Sequence, residues 1–274
     1  MAETRMADGA PAAEGLGWRL GMQAYTFHMN TFYEAIDNTE SLGLRWIEAF
    51  PGQKLSPEKP DAQMVHTMPK ELYPEVKQKL ASAGVKLVCY GVCNVGQTEE
   101  SARVVFDFAK AMGIENIVSE PAPEMFDILS ALCDEYGINV ALHNHPKPSP
   151  YWSPDTVLER CKGKSERIGS CSDTGHWMRS EVNPVEALKK LEGRIKTLHL
   201  KDLNQFGPQG HDVPWGTGKA DVKAILRELL RQGVKAPFSI EYEHNWGKAM
   251  PEIAECVKAF DRIAAEVAAE KKTS

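Results

Sequence analysis

Acidic and imidazole side chains recur at four places where a short apolar run ends, and these are the residue types that bind divalent metal ions. The four places are Ala141-Leu142-His143-Asn144-His145, Ser172-Asp173-Thr174-Gly175-His176-Trp177, Thr197-Leu198-His199-Leu200-Lys201-Asp202 and Ser239-Ile240-Glu241-Tyr242-Glu243-His244. Each run is typical of a short buried strand with polar residues at its C-terminal end. We therefore expect the four ends to converge on one divalent metal ion.

The candidate ligands, one from each run, are His143, Asp173, His199 and Glu241. Without a cation, these groups would repel one another or stay unpaired, at a cost of several kcal/mol. Two nitrogen and two oxygen ligands with open positions suit Mn²⁺, Zn²⁺, Co²⁺ or Fe²⁺ better than Mg²⁺ or Ca²⁺. Glu120, at the end of a neighbouring run, is a candidate fifth ligand or base.

The elements that must position these residues alternate regularly along the chain. From Gly17 onward, short β-like runs alternate with amphipathic helical stretches, and a glycine follows the helix at all seven junctions between eight predicted strands. This order predicts βα units with a parallel sheet. Eight units predict an α/β fold, a single (β/α)₈ TIM barrel over residues 17–274. A doubly wound sheet would need a GxGxxG motif after the first strand, which Gly21-Met22-Gln23 does not provide.

The predicted strands cover residues 20–25, 44–49, 86–90, 116–120, 139–143, 168–173, 195–201 and 238–242. Side chains alternate between the lumen and the helix layer along a barrel strand, so Thr197, His199 and Lys201 share the lumen face. By the same alternation, Glu241 and Glu243 point inward. These residues lie at the C-terminal strand ends, the face on which barrel active sites are built.

The composition restricts the classes of function. The 274 residues carry a net charge of −6, which argues against nonspecific nucleic-acid binding. The sequence contains nothing close to the roughly 18 consecutive apolar residues of a membrane-spanning helix. The six cysteines include no CxxC pair, which predicts buried thiols in a reducing compartment.

Residues 1–16 are rich in alanine, glycine and glutamate and include no apolar segment of the kind found in signal peptides. We expect a disordered leader there, or the remnant of a removed export signal. The predicted location is accordingly cytoplasmic, with the periplasm as the alternative after removal of an export signal.

Four motifs carry a family resemblance: His143-Asn144-His145-Pro146, Asp173-Thr174-Gly175-His176, His199-Leu200-Lys201-Asp202 and Ile240-Glu241-Tyr242-Glu243. They resemble the xylose isomerase-like barrel superfamily, the sugar phosphate isomerases and epimerases, over nearly the whole chain from Gly17. Ketose 3-epimerases, inosose dehydratases and type-IV AP endonucleases are relatives within it. The resemblance implies a metal held at the ends of barrel strands, and the matching positions are the four candidate ligands.

One position departs from the epimerase pattern. The epimerases carry a glutamate as one of two acid/base groups flanking the substrate, where this chain has His143. The histidines of the fifth strand look more like the inosose dehydratase branch. The resemblance therefore implies metal-dependent chemistry on a sugar and leaves the reaction open between isomerase and lyase.

The chemistry follows from the metal. A sugar with a carbonyl next to a hydroxyl can chelate the ion, which stabilises the enediolate formed when the adjacent C–H proton leaves. The candidate acid and base groups on the two sides of the substrate are Glu241, His145, His176 and Glu120. Lys201 could supply charge to an oxyanion, and Asp202 could orient Lys201 or His199.

Other polar and aromatic residues follow predicted strands and are candidates for binding a small-molecule sugar. They are Gln23, Tyr25, Glu48 and Tyr90 near the first three strand ends, and Trp177, Trp215 and Trp246 on the loops after strands six to eight. Loop anchoring or a subunit contact is the alternative role of each tryptophan, so a homo-oligomer stays open.

The favoured hypothesis is a divalent-metal-dependent sugar isomerase or epimerase. A metal-dependent lyase or dehydratase on a keto-sugar, inosose or 3-keto-glycoside shares the same enediolate and is the alternative. An AP endonuclease would need a basic face for DNA, which the acidic composition opposes. A catalytically silent carbohydrate-binding barrel is the remaining hypothesis.

Overall fold

Ten strands and ten α-helices make up the computed structural model, which describes residues 5–273. The strands are β1 (Arg19–Gln23), β2 (Trp46–Ala49), β3 (Gln53–Ser56), β4 (Lys59–Met64), β5 (Lys86–Cys93), β6 (Asn116–Ser119), β7 (Asn139–His143), β8 (Ile168–Asp173), β9 (Ile195–Leu200) and β10 (Pro237–Ile240). Eight of them pair in parallel and close into a barrel in the order β1-β10-β9-β8-β7-β6-β5-β2. The predicted (β/α)₈ barrel is confirmed.

The helices are α1 (Pro11–Gly15), α2 (Phe32–Ser41), α3 (Tyr73–Ser82), α4 (Glu99–Met112), α5 (Phe126–Tyr136), α6 (Pro154–Cys161), α7 (Thr174–Arg179), α8 (Pro184–Lys190), α9 (Val222–Gln232) and α10 (Met250–Thr273). Local sequence explains their ends. Helix α2 begins in a reciprocal cap between Thr31 and Glu34, which satisfies two free backbone N–H groups. Helix α4 ends at Gly113, whose φ of 79° is left-handed and costs glycine little.

A two-stranded hairpin follows β2 at the mouth of the barrel, where the sequence predicted only a long polar connection. Strands β3 and β4 pair antiparallel, with Gln53 opposite Met64 and Lys54 opposite Gln63. The side-chain amide of Gln53 donates from Nε2 to the backbone carbonyls of Phe27 at 3.2 Å and Asn30 at 3.1 Å. These bonds hold the hairpin against the turn after β1. Prolines hid this hairpin in the sequence, since they are tolerated at strand edges but oppose central strands.

The segment before β1 is ordered where the structure describes it, in contrast to the disordered leader expected over residues 1–16. The amide of Met6 donates to the Ser41 carbonyl at 2.7 Å, and the amide of Ala12 donates to the Asp261 carboxylate at 2.7 Å. Ala10 and Ala13 are buried against the barrel. The small methyl groups of these alanines allow close packing, whereas the alanine-rich composition alone predicts disorder. Residues 1–4 lie outside the described residues.

The lumen of the barrel is filled by small side chains. Val118, Ala141 and Cys171 form an inner cluster separate from the larger core between strands and helices. All six cysteines are buried free thiols, as predicted. No helix within residues 5–273 is long and apolar enough to cross a membrane. These small residues fill the interior of the barrel, and the polar residues at the C-terminal strand ends lie next to them at the barrel mouth.

Candidate metal centre

Strand register brings the four predicted ligand residues together at the C-terminal mouth of the barrel. Asp173 on β8 lies opposite His199 on β9. The Oδ2 atom of Asp173 lies 3.7 Å from His143 Nε2 and 3.9 Å from His199 Nδ1. The same His199 Nδ1 atom lies 3.2 Å from Oε2 of Glu241. All four side chains are buried. Each of the four side chains therefore has a potential ligand atom within 3.9 Å of one on another of the four.

The end of β8 shows how the sequence aims the carboxylate of Asp173. Helix α7 begins directly after the strand, and Asp173 is its N-cap, with Oδ1 accepting from the His176 amide at 2.6 Å. The side chain of Asn144 holds the backbone of the same residue, accepting from its N–H at 2.7 Å and donating to its carbonyl at 2.9 Å. Because Oδ1 is occupied by the cap, Oδ2 is the oxygen left to face the centre.

Unsatisfied polar atoms concentrate at this centre. Nine buried side-chain nitrogen and oxygen atoms within the described residues have no hydrogen-bond partner, and four of them are His143 Nε2, Asp173 Oδ2, His199 Nδ1 and Glu241 Oε2. Leaving such an atom unpaired costs about 1–3 kcal/mol, and more for a charged group. Two nitrogens and two carboxylate oxygens form a donor set that fits Mn²⁺ or Zn²⁺. The residues present therefore fit a divalent cation.

Glu48 sets the orientation and tautomer of His199. The Nε2 atom of His199 lies 3.0 Å from both carboxylate oxygens of Glu48, which also accepts from Ser239 at 2.7 Å. A carboxylate only accepts, so Nε2 carries a proton, and Nδ1 is the ring nitrogen that faces Asp173 and Glu241. Burial opposes the charged ring, yet Cys171, Glu48 and Glu241 raise the pKa of His199 above its ordinary value. Glu48, expected to bind substrate, thus contacts the candidate ligand His199.

His176 also lies beside the centre, and His143, Asp173, His176 and Glu241 each have one ligand atom within 4.8 Å of the others. Arg179 donates from Nη1 to Nδ1 of His176 at 2.9 Å, so the proton of the neutral ring is on Nε2. Burial holds the pKa of His176 well below its ordinary value, against the pull of Asp173. His176 is therefore a neutral hydrogen-bond donor, whereas the carboxylates beside His199 favour its protonated ring, and a bound cation would take the place of the proton on Nδ1.

Cys171 forms a third geometric grouping with His143 and His199. Burial raises the pKa of its thiol to about 12, so it stays protonated near neutral pH. Since the thiolate is the form that binds metals, this grouping is a poor metal site.

Glu120 and His145 form a pair at the rim of the centre. The Nδ1 atom of His145 lies 2.6 Å from Glu120 Oε1, and the side chain of His145 is 45% exposed. Ser149 donates to the other carboxylate oxygen at 3.1 Å. Burial opposes ionisation of Glu120, but hydrogen bonds from His143 and His145 outweigh it and lower the pKa of Glu120. The pair places an exposed imidazole backed by a carboxylate beside the open side of the site.

Lys201 is wholly buried among three carboxylates. Its Nζ atom lies 3.0 Å from Asp173 Oδ2, 2.8 Å from Glu241 Oε2 and 2.6 Å from Glu243 Oε2. Its aliphatic stem passes over Gly175, where an added Cβ would lie 2.8 Å from Lys201 Cβ and Cδ. Burial disfavours the charged amine, but Asp173, Glu241 and Glu243 raise its pKa well above the ordinary value. Lys201 is therefore a fixed ammonium at the edge of the centre.

An ion network continues outward from Lys201. Arg179 lies 2.9 Å from Glu243 Oε2 and 3.2 Å from Asp212 Oδ2. Burial raises the pKa of Asp212 to about 7, although Lys201 and Arg179 oppose the shift. With Asp173 and Glu241, the network has four carboxyl groups for two permanent cations. This excess of acid is a second feature that fits a bound divalent cation.

Several predicted substrate-binding residues are part of the framework. Gln23 donates to the Gly91 carbonyl at 3.0 Å and accepts from the Tyr25 amide at 3.0 Å. The hydroxyl of buried Tyr90 accepts from the His66 amide at 3.1 Å. Trp177 and Trp215 are 1% and 2% exposed. The Trp215 ring lies 5.8 Å from that of Phe260 on α10.

Tyr25 and Trp246, by contrast, are 38% and 37% exposed. With His28 and Phe50 they form an aromatic cluster, in which the Trp246 ring lies 6.0 Å from that of Tyr25 and 4.3 Å from that of His28. Tyr25, His28 and Phe50 also line an open cavity of about 690 Å³, together with residues of the hairpin. Phe50 directly follows β2, and this position at a strand end could have indicated that its ring lines the mouth of the barrel.

Asp202 has a different role from the expected one. Its carboxylate accepts from the amides of Gly216 at 2.8 Å, Gly218 at 2.9 Å and Ala220 at 2.9 Å. Both oxygens hold the loop after β9, so Asp202 orients neither Lys201 nor His199. Sequence reasoning missed Asn144 and Arg179, although each is close in sequence to a candidate ligand and Arg179 is one helical turn after His176.

Comparison with known proteins is consistent with this fold. The family model described as xylose isomerase-like TIM barrel matches residues 36–260. An uncharacterised protein of Sinorhizobium fredii, y4fM, is 25% identical over 141 residues, which are 49% of this chain and 43% of that protein. The chain thus aligns with less than half the length of the curated relative it matches.

Three solved structures are similar over nearly the whole chain. An uncharacterised protein of Parabacteroides distasonis is 33% identical with a TM-score of 0.74, over 90% of this chain and 99% of that one. An L-ribulose 3-epimerase is 16% identical with a TM-score of 0.66, over 93% and 97% of the two chains. The IolI protein, crystallised with a zinc atom, is 18% identical with a TM-score of 0.65, over 91% and 99%. The last two likenesses show the fold alone.

Proposed function

Because the chain belongs to the xylose isomerase-like TIM barrel family, we propose that it is a divalent-metal-dependent sugar isomerase or epimerase. The reaction is abstraction of a proton next to a carbonyl of a small sugar. The supporting observation is that His143, Asp173, His199 and Glu241 each have one buried atom without a hydrogen-bond partner at the mouth of the barrel. Relatives of this fold include an L-ribulose 3-epimerase and a zinc-containing protein.

A Mn²⁺ or Zn²⁺ ion at this centre, or Co²⁺ or Fe²⁺, would polarise the sugar carbonyl and stabilise the negative charge that follows proton loss. The cation would also remove the cost of four unsatisfied buried atoms. Glu48 would hold His199 with Nδ1 toward the centre, as carboxylates commonly do for metal-binding histidines.

The residues that move the proton lie on different sides of the mouth. Burial alone would raise the pKa of Glu241, but Lys201 and His199 hold that pKa well below its ordinary value. Glu241 is therefore ionised and able to accept a proton. His145, backed by Glu120, is the acid or base on the open side. His176 would donate a hydrogen bond from Nε2 to the substrate, and the Lys201 ammonium would stabilise developing negative charge. Tyr25 and Trp246 contact the sugar from the rim.

Solvent-isotope exchange tests this proposal. Purified protein with Mn²⁺ or Zn²⁺ is incubated in D₂O with a panel of ketoses, inososes and 3-keto-glycosides, and the sugars are analysed by NMR and mass spectrometry. We expect deuterium uptake at the carbon next to the carbonyl, without release of water or of an aglycone. Glu241→Gln and a chelator should each abolish it. Absence of exchange on every sugar at saturating metal would refute the proposal.

A metal-dependent lyase or dehydratase is the second candidate. The exposed His145, held 2.6 Å from Glu120, could protonate a departing hydroxyl or glycosidic oxygen after the first proton has been removed. The same experiment separates the two functions, because a lyase releases water or the aglycone. His145→Gln should then slow elimination more than it slows deuterium exchange.

A further inference from the structure

Lys201 and the proposed metal ion depend on the same two carboxylate atoms. The Lys201 ammonium lies 3.0 Å from Asp173 Oδ2 and 2.8 Å from Glu241 Oε2, the oxygens that also face His143 and His199. Both oxygens are without an aligned hydrogen bond, so the lysine neutralises their charge without using their lone pairs fully. Two cations competing for one pair of carboxylates repel each other strongly in a buried site.

Lys201 has a further carboxylate partner, Glu243. Glu243, two residues after Glu241, already accepts a hydrogen bond from the same Nζ atom at 2.6 Å. Glu243 is partly exposed, while Asp173 and Lys201 are fully buried. A small movement of this flexible four-carbon side chain would therefore separate the ammonium from the shared pair while it keeps its hydrogen bond to Glu243.

We infer that Lys201 is an internal cation that holds Asp173 and Glu241 together before metal binding and shifts toward Glu243 when a divalent ion takes these two carboxylates. Metal affinity is then set partly by the Lys201–Glu243 pair, which lies outside the ligand set. The inference concerns the binding of the metal invoked by the proposed function and does not depend on which sugar is turned over.

Packing supports a defined path for this side chain. Gly175 leaves room for the lysine stem, since a Cβ there would lie 2.8 Å from two of its carbons. Thr174 ties the lysine backbone down, accepting from its amide at 2.8 Å and donating to its carbonyl at 2.7 Å. The backbone of Lys201 is thus held while its terminal atoms have several acceptors within reach.

A double-mutant cycle of Lys201→Met and Glu243→Gln, read by calorimetric titration with Mn²⁺, tests the inference. Lys201→Met should raise metal affinity by about tenfold or more, because the competing charge is removed. Glu243→Gln should lower it in the wild-type background, since the ammonium then stays with Asp173 and Glu241. In the Lys201→Met background, Glu243→Gln should have much less effect, giving a non-additivity of about fivefold or more. Lys196→Met, near the start of β9 and so at the opposite end of the barrel from Lys201, is the matched control.

Strictly additive effects of the two substitutions on Mn²⁺ affinity would overturn the inference, because independent long-range charge effects are additive. Unchanged or weaker Mn²⁺ binding in Lys201→Met would also overturn it. Thermal unfolding without metal gives a second readout: Lys201→Met should melt below the wild type and be rescued more by Mn²⁺. If Lys201→Met does not fold without metal, Glu243→Gln alone decides, and unchanged affinity there would overturn the inference. Coupling with no turnover of any sugar would support the inference while the proposed function fails.

Discussion

The Nε2 atom of His199 lies 3.0 Å from each carboxylate oxygen of Glu48, on the opposite side of the ring from Asp173 and Glu241. This pair joins β2 to β9 across the lumen, and both side chains are fully buried. The carboxylate fixes the direction in which Nδ1 of His199 points, toward Asp173 and Glu241.

Glu48→Gln should therefore weaken metal binding without unfolding the barrel. The amide still accepts one hydrogen bond, but the loss of charge makes the imidazole a poorer ligand, by about 10–100-fold in affinity. Calorimetric titration with Zn²⁺ or Mn²⁺ measures the change. Glu115→Gln, which removes a partly exposed partner of Arg19, is the control and should leave affinity unchanged.

Adding metal should raise the melting temperature of the wild-type protein. A ligand that binds only the folded state adds about 2.7 kcal/mol at a concentration 100 times its Kd. Differential scanning fluorimetry with Mn²⁺ or Zn²⁺, reversed by a chelator, measures this shift. Asp173→Asn should lose most of it, and an equal shift in that variant would mean that the metal binds elsewhere.

Asn144→Ala should destabilise the fold as well as the site. The substitution removes both side-chain hydrogen bonds to the backbone of Asp173 and leaves its buried N–H without that partner, at about 1–3 kcal/mol. Urea unfolding measures the loss. Asn183→Ala, which also removes two amide contacts but at an exposed helix cap, should cost only about 1 kcal/mol. Equal losses in the two variants would contradict this account.

The raised pKa of Asp212 predicts a pH dependence of stability. Because its folded-state pKa is about 7, above the ordinary value of 3.8, the folded protein binds more protons between these values. The free energy of unfolding should therefore fall as pH rises from about 4 to 7, by up to about 4 kcal/mol from this group. Urea titrations in a chelator should show the slope, and Asp212→Asn should flatten it. An unchanged slope would assign it to other groups.

The exposures of two tryptophans predict opposite outcomes. Trp246→Ala should raise KM for the sugar while kcat and stability change little, because the ring is at the exposed rim beside Tyr25. Trp215→Ala should lower stability by about 3–5 kcal/mol, since its ring is buried against Phe260. Steady-state kinetics and urea unfolding of both variants distinguish a substrate contact from a structural one.

Much of the architecture was accessible from local sequence because each element has its own signal. Alternating apolar runs, caps such as Thr31 with Glu34, and stops such as Gly113 predict where strands and helices begin and end. The ordered segment before β1 and the β3–β4 hairpin were not accessible in this way. Their stability comes from tertiary contacts, such as Ala12 with Asp261 and Gln53 with Phe27.

The sequence by itself determined the barrel and the four strand ends at which His143, Asp173, His199 and Glu241 occur, because side-chain alternation along a strand is a local property. Only the tertiary structure decided how the polar residues divide their roles. Register placed Glu48 behind His199, Arg179 behind His176, and Lys201 among three carboxylates. Those partners are distant in sequence or on different elements, and protonation depends on the distance between charges, which emerges only when the strands close into the barrel.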